Sequence, residues 1–433
     1  MENKPTSAPT LSKQMRLPFL LVSALFALWG FANAVTDPMV QAFKKVLELS
    51  NSQAAWVQMA FYGGYFCMAL PAAYFVRKYT YKQGILIGLA LYGVGALLFY
   101  PAAITEQFWF FCLGLYVLTF GLAFLETTAN PYIISMGNPE TGTRRLNFAQ
   151  AFNPVGLLLG LLVAQQFVLK KLQSDDIVSF DTLDEMQKIA IRTADLLVIR
   201  DPYVILGLVV LGYLVIISLL KMPNSKNEEA LPPLGATFIN LLRKKYYRMG
   251  VLAQVFYVGA QIMCWTYIYQ YAEAKGINAD VAANYQFVAF VLFLVGRAVG
   301  TYFLKDFKAS VMLRTFAFFG FLSALGTILL TGQEGLYALV ITSFFMSLMF
   351  PTIYGETLKG LNSDDTKVGA AGLVMAIVGG ALMPKFQGDL IDLGGSGVAD
   401  VLWLGIPEVN WSFILPLLCF VYILFYAQQL VRK

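Results

Sequence analysis

Two acidic side chains stand where acids are costly. Glu126 is preceded by Phe124 and Leu125 inside a long apolar run, and Asp37 lies in the outer part of the first such run. A charge at the centre of a bilayer costs about 2.5 to 3.5 kcal/mol on insertion scales, so an intramembrane carboxylate calls for a reason, and an ion or proton path is the usual one. The chain contains no histidine. That removes the side chain that titrates near neutrality and the commonest metal ligand, so proton chemistry here must use carboxylates. Plainer alternatives exist for both acids: Asp37 could sit at the outer interface beside Lys44 and Lys45, and Glu126 could be neutralised by Arg297 or Lys385 in a buried ion pair.

Amides surround Glu126 in the sequence. The segment from 126 to 131 reads Glu-Thr-Thr-Ala-Asn-Pro, and the next apolar stretch carries Asn147, Gln150 and Asn153. Their spacing of i, i+3, i+6 lines three amides along one side of a helix. Amides facing lipid would be costly, so that side must face protein or a wet cavity. An amide stripe offers both donors and acceptors, which suits a polyhydroxylated ligand such as a sugar; interhelical bonding is the alternative. Further along, Gln254, Tyr257, Gln261 and Trp265 share a second helical face. Gln261 beside Trp265 would offer an amide to a sugar's hydroxyl rim and a flat apolar surface to its CH face, although aromatic residues at this spacing also build cores.

The elements that must position these groups are membrane helices. Of 433 residues, 58% are apolar and only 13% charged, about half the charged share of a soluble domain. Runs of about 20 apolar residues recur along the chain, each long enough to cross about 30 Å of hydrocarbon. Continuous runs exclude a transmembrane barrel, and the apolar content excludes disorder. The expectation is an all-α polytopic membrane protein with twelve transmembrane helices in two six-helix halves: a tail at 1–16, a first half at 17–220, a linker at 221–248, a second half at 249–431 and a short end at 432–433. With the amino terminus cytoplasmic, the inner side holds most of the 31 Lys and Arg residues, which places both termini and the linker in the cytoplasm of a cell's inner membrane. This also accounts for the net charge of +5 without a nucleic-acid partner.

The long outer loop, 170–201, has a partly helical apolar pattern and reads as a surface helix, not a thirteenth span. Ala32-Asn33-Ala34 resembles a signal-peptide cleavage site, yet the apolar run continues to Val40, and cleavage would leave eleven helices and invert the charge bias. The four cysteines lie in apolar runs without disulfide or metal-ligand spacing. Two six-helix halves around a basic linker are the pattern of carriers with a midplane site between parallel repeats.

The sequence resembles the fucose permease branch of the major facilitator superfamily, a group of proton-coupled sugar symporters. The segments that carry the resemblance are Trp29 to Asp37, Leu125 to Pro131, Arg145 to Asn153, Val251 to Gln254 with Tyr257 to Gln261, and Gly296-Arg297. It implies the major facilitator fold, Asp37 and Glu126 as the paired essential carboxylates, and Gln150 and Asn153 as sugar-cavity residues. Two positions depart from the pattern. Asn33-Ala34 stands in place of a doubled Asn, leaving Asn33 as the candidate contact, and Phe350 stands in place of a Tyr before Pro351.

The combined expectation is secondary active uptake of a monosaccharide, with L-fucose as the expected sugar, by alternating access in a functional monomer without a cofactor. A proton at Glu126 would drive it, with Asp37 assisting sugar binding or coupling. Asn33, Asn147, Gln150, Asn153, Tyr257, Gln261 and Trp265 would form the sugar site, with Asn130-Pro131 and Phe350-Pro351 as places for helix bending. The rival readings are a sodium-coupled glucose, galactose or mannose carrier, a drug exporter, and a membrane-embedded enzyme, for which the sequence offers no histidine base, metal cluster or nucleophile beside a base.

Overall fold

A computed structural model of the chain describes residues 11, 13–47, 51–172, 183–222, 232–394 and 401–432; the side chains of 13, 37–45, 51–59, 169 and 279–280 lie outside the description. The first half consists of α1 (Arg16–Val46), α2 (Asn51–Lys78), α3 (Tyr81–Leu97), α4 (Phe99–Thr105), α5 (Phe108–Ser135), α6 (Gly142–Gln150), α7 (Phe152–Val163) and α8 (Glu185–Leu219). Helix α9 (Leu234–Arg243) lies in the expected linker. The second half contains α10 (Lys245–Thr266), α11 (Ile268–Glu273), α12 (Ala279–Phe303), α13 (Ala309–Leu329), α14 (Gln333–Met346), α15 (Met349–Leu358), α16 (Ser363–Met375), α17 (Gly379–Ile391), α18 (Glu408–Ser412) and α19 (Ile414–Val431). A two-residue hairpin, β1 (Leu402–Trp403) with β2 (Ile406–Pro407), precedes α18. Among the described residues, eleven helical segments are long and apolar enough to cross a membrane, and α2 is a further helix of 28 residues.

Local signals set the helix starts. Thr80 and Gln83 form a reciprocal capping box at α3, while Asp184 and Asn362 accept backbone N–H groups at the starts of α8 and α16. Each supplies an acceptor for donors that the first helical turn leaves free. Where helices cross near the candidate site, small residues bring the backbones together. A Cβ on Gly30 would collide with the carbonyl of Asn153, and one on Gly156 with the carbonyl of Ala27. With lipid as apolar as leucine, such close backbone approach is what holds membrane helices together. It fixes α1 against α7, and the Asn153 amide donates to the Phe26 carbonyl at 3.3 Å across that contact.

Two expectations about helix geometry are corrected. The acidic outer segment is not a separate surface helix; residues 185–201 continue into the sixth span as one 35-residue helix, about 52 Å long. The reason is a single buried stripe, Leu196, Ile199, Pro202, Tyr203 and Leu206, that crosses the supposed boundary at helical spacing. Charged Arg200 and Asp201 stay outside that stripe and pair with each other at 2.7 Å. Second, α5 runs through Pro131 without interruption. The other expected place does break, at Ser347–Leu348 between α14 and α15, just before Pro351, and a further break falls at Ala151, between α6 and α7, before Pro154.

The halves meet through α2 on α16, α6 on α15 and α7 on α12. At one end of the bundle the turn after α2, the turn before α16 and helix α9 gather. We refer to it as the linker end, and to the opposite end as the far end. There, Arg77 grips Asp364 through two bonds of 2.6 and 2.8 Å and also donates to the Pro232 carbonyl at 2.8 Å. Lys244 pairs with Asp365 at 2.6 Å.

Candidate functional site

A cavity of about 550 Å³ lies between the halves. Helix α6 defines its lower boundary through three successive inter-half rungs. The Gln150 carbonyl accepts from Arg297 at 2.9 Å, the Asn147 amide donates to Thr352 at 3.1 Å, and Thr143 donates to Glu356 at 2.9 Å. Below them stands the Arg77–Asp364 pair. Above them the cavity is lined as far as Gln165, Gln270 and Gln286 toward the far end. The chain is thus closed at the linker end, and its cavity extends toward the other.

The first half supplies the ionisable group. Glu126 is 1% exposed yet lines the cavity. Its carboxylate accepts from the Asn130 amide at 3.3 Å, and the Asn130 side-chain oxygen in turn accepts from the Gln150 amide at 2.9 Å. The ion pair considered as an alternative does not form: Arg297 donates to carbonyl oxygens, and Lys385 pairs with Asp389 at 3.1 Å on the exposed face of α17. Glu126 is therefore a buried acid held by one amide and facing a void large enough for a small polar solute.

Aromatic rings form the walls. In the first half, Trp29 donates its indole N–H to the Tyr65 hydroxyl at 2.7 Å, with the two rings stacked and Phe61 and Tyr62 beside them. Across the cavity, Trp265 is wedged edge-to-face against Phe290 and Phe293, and its indole N–H is held by Ser343 at 3.1 Å. Tyr257 packs against Phe350, and its hydroxyl, fully buried, has no hydrogen-bond partner among the described residues. A buried hydroxyl left unsatisfied is costly unless something fills the role. A bound ligand bearing hydroxyls would do so.

Of the residues expected at the site, Asn33, Glu126, Gln150, Asn153, Tyr257, Gln261 and Trp265 line this cavity. Asn147 does not. It lies one rung lower, buried against Thr143 and Thr352, because the amide stripe descends α6 past the cavity floor. Gln254 also stays out of the cavity, buried in the second half. Asp37 belongs to α1, and its side chain lies outside the described residues. Sequence reasoning did not single out Tyr65, Gln165, Phe290 or Phe293, nor the structural use of Arg297. Gln165 sits in a π-helical turn, Ala164–Val168, a distortion often found at functional sites but without a sequence signature of its own.

Residues 19–384 match the Major Facilitator Superfamily. The L-fucose-proton symporter of Haemophilus influenzae is 55% identical over 427 residues, covering 97% of this chain and 98% of that protein. The L-fucose-proton symporter of Escherichia coli K12 is 35% identical, covering 96% and 94%. The crystal structure of the superfamily transporter FucP in the outward conformation superposes with a TM-score of 0.86 at 34% identity, covering 96% of this chain and 99% of that one. Sequence, fold and the buried acid in a cavity between two helical halves agree: this chain is a multi-pass membrane protein that belongs to the major facilitator superfamily.

Proposed function

We propose that the chain is a proton-coupled L-fucose symporter working by alternating access, and that Glu126 carries the proton. The observation that carries this reading is Glu126 itself: a buried acid without a basic partner among the described residues, facing a cavity lined by amides and rings. The two similar symporters, named for L-fucose and proton, support the sugar and the ion. Protonation removes the charge and so lowers the cost of closing the cavity around Glu126. An empty, charged carrier then reorients reluctantly, and coupling follows from that difference in stability.

In this reading Asp37 contributes to sugar binding or coupling. Asn33, Gln150, Asn153, Tyr257 and Gln261 offer hydrogen bonds to sugar hydroxyls, while Trp265 presents an apolar surface. The halves 17–220 and 249–431 rock about the cavity as the moving units of a monomer, joined by 221–248. Both termini and the linker end face the cytoplasm of the inner membrane, as the basic residues around Arg77, Arg243 and Lys244 favour. The cavity then extends toward the outside, where sugar is taken up.

The deciding experiment offers labelled L-fucose, D-glucose, D-galactose and D-mannose to proteoliposomes under imposed proton or sodium gradients. Uphill L-fucose uptake driven by a proton gradient in sodium-free buffer is expected. Accumulation that requires sodium, or that favours glucose or galactose, would replace this reading with the sodium-coupled one.

A further inference from the structure

Arg297 is a cation at the floor of the cavity, 2% exposed, whose described hydrogen bonds go to backbone oxygens instead of an acid. Its Nε donates to the Ser347 carbonyl, and one terminal nitrogen donates to the Gln150 carbonyl at 2.9 Å. Its guanidinium also lies over the Phe293 ring, 5.0 Å from the centroid. The two acceptors share a property that the sequence makes visible. Ser347 stands four residues before Pro351, and Gln150 stands four residues before Pro154. Proline has no N–H, so neither carbonyl can receive its ordinary i+4 helical bond. Both helices break at these points, at Ser347–Leu348 and at Ala151.

A buried carbonyl without a donor is costly in a membrane interior. The two prolines therefore create two acceptors at one level of the bundle, one in each half, and a single forked guanidinium satisfies both. Lysine could not do this, since its ammonium is a compact point charge without the planar fork.

We propose that Arg297 is a positioning residue that ties the halves together through these proline-freed carbonyls, and that the tie favours the conformation closed at the linker end. Gln150 is a fitting attachment point, because its side chain is also bonded to Asn130 beside Glu126. The tie lies directly above the Asn147–Thr352 and Thr143–Glu356 rungs, and so must loosen before the linker end can part. This inference rests on the reading of the halves as the moving parts of a carrier. It does not depend on which sugar is carried.

The test uses the full chain in nanodiscs without sugar or gradient, with exposed Cys67 replaced by serine and Ala371, fully buried in α16, the helix that packs on α2 and α5 of the other half, replaced by cysteine. The labelling rate of that cysteine by a membrane-impermeant maleimide measures how often the linker end opens. Pro154→Ala gives residue 154 an N–H that competes with Arg297 for the Gln150 carbonyl. It is expected to raise the labelling rate at least about tenfold, the lower end of what one hydrogen bond to a charged group is worth. Arg297→Lys should raise it to a similar degree, and the double variant should exceed either single variant by little, since both remove one interaction.

A merely structural proline predicts the opposite pattern. Alanine inside a helix would leave the thermal midpoint equal or higher, with labelling unchanged. Unchanged labelling in Pro154→Ala, or rate increases that multiply in the double variant, overturns the proposal. If Arg297→Lys does not fold, Arg297→Met, which keeps a buried stem but has no donor for the Gln150 carbonyl, takes its place in the cycle with the same expected result. Loss of L-fucose transport in the uptake experiment would leave this measurement standing, so the two readings fail separately.

Discussion

Both walls of the cavity carry aromatic rings and amides, and they differ in the group that stands among them. The first half presents a hydrogen-bonded series, Glu126 to Asn130 to Gln150, that ends on a titratable group. The second half presents a ring cluster, Trp265 with Phe290 and Phe293, together with Tyr257, whose hydroxyl has no partner among the described residues. In the proposed mechanism, the first wall holds the acid whose charge is switched, and the second holds a hydroxyl whose hydrogen bond a solute can complete. A proton alone satisfies the first wall, whereas a sugar can reach both. This division gives a physical basis for closure that depends on the two arriving together.

The largest expected effect comes from removing the switch. In Glu126→Gln, a proton gradient of one pH unit, which can drive about tenfold accumulation per proton, should drive none. Counterflow of labelled against unlabelled sugar should persist and lose its dependence on pH. Both are measured in the same proteoliposomes, and normal proton-driven accumulation by the variant would break the division between the walls. The second wall should fail differently. Trp265→Ala empties a packed aromatic position, which typically costs about 3 to 5 kcal/mol of stability. A lower thermal midpoint and weakened sugar binding are expected, while the transport that remains keeps its pH dependence.

Tyr257→Phe sharpens the comparison further, because it removes a hydroxyl without removing the ring. The hydroxyl is unpaired among the described residues, so its loss should leave the thermal midpoint unchanged or slightly raised. Sugar affinity should fall about fivefold, the worth of one ordinary hydrogen bond of about 1 kcal/mol. Calorimetric titration against wild type measures it. Unchanged affinity would mean that this hydroxyl does not meet the sugar.

Much of this was legible in the residues because lipid leaves the chain few options. Apolar length and the basic linker indicate spans and halves, and the cost of Glu126 indicates a site, since hydrocarbon admits a chain of continuous apolar runs only as helix and makes a buried acid costly. What could not be read was depth. The spacing of Asn147, Gln150 and Asn153 fixes their shared face, but it does not tell where along that face a cavity floor will cut. The floor depends on Arg297 and the helix breaks before Pro154 and Pro351, an arrangement made by the meeting of three distant segments. The fusion of the outer segment into α8 was obscured for a related reason: Arg200 and Asp201 look like a membrane boundary in one dimension, while the buried stripe beside them runs on uninterrupted.

The smallest expected effect decides between the two uses of an amide on that stripe. Asn147 is fully buried and donates to the Thr143 carbonyl and to Thr352, across the interface between halves. If it acts as a rung and not as a ligand, Asn147→Ala removes one inter-half hydrogen bond, worth about 0.5 to 1.5 kcal/mol. It should raise the labelling rate of a linker-end cysteine severalfold, while sugar affinity measured by calorimetry stays within about twofold. Asn153→Ala, from the cavity-lining end of the same stripe, should show the reverse, with affinity falling and labelling unchanged. An Asn147→Ala variant that lost affinity without opening the linker end would move the floor of the cavity one turn lower. The division between a binding level and a closing level on α6 would then have to be redrawn.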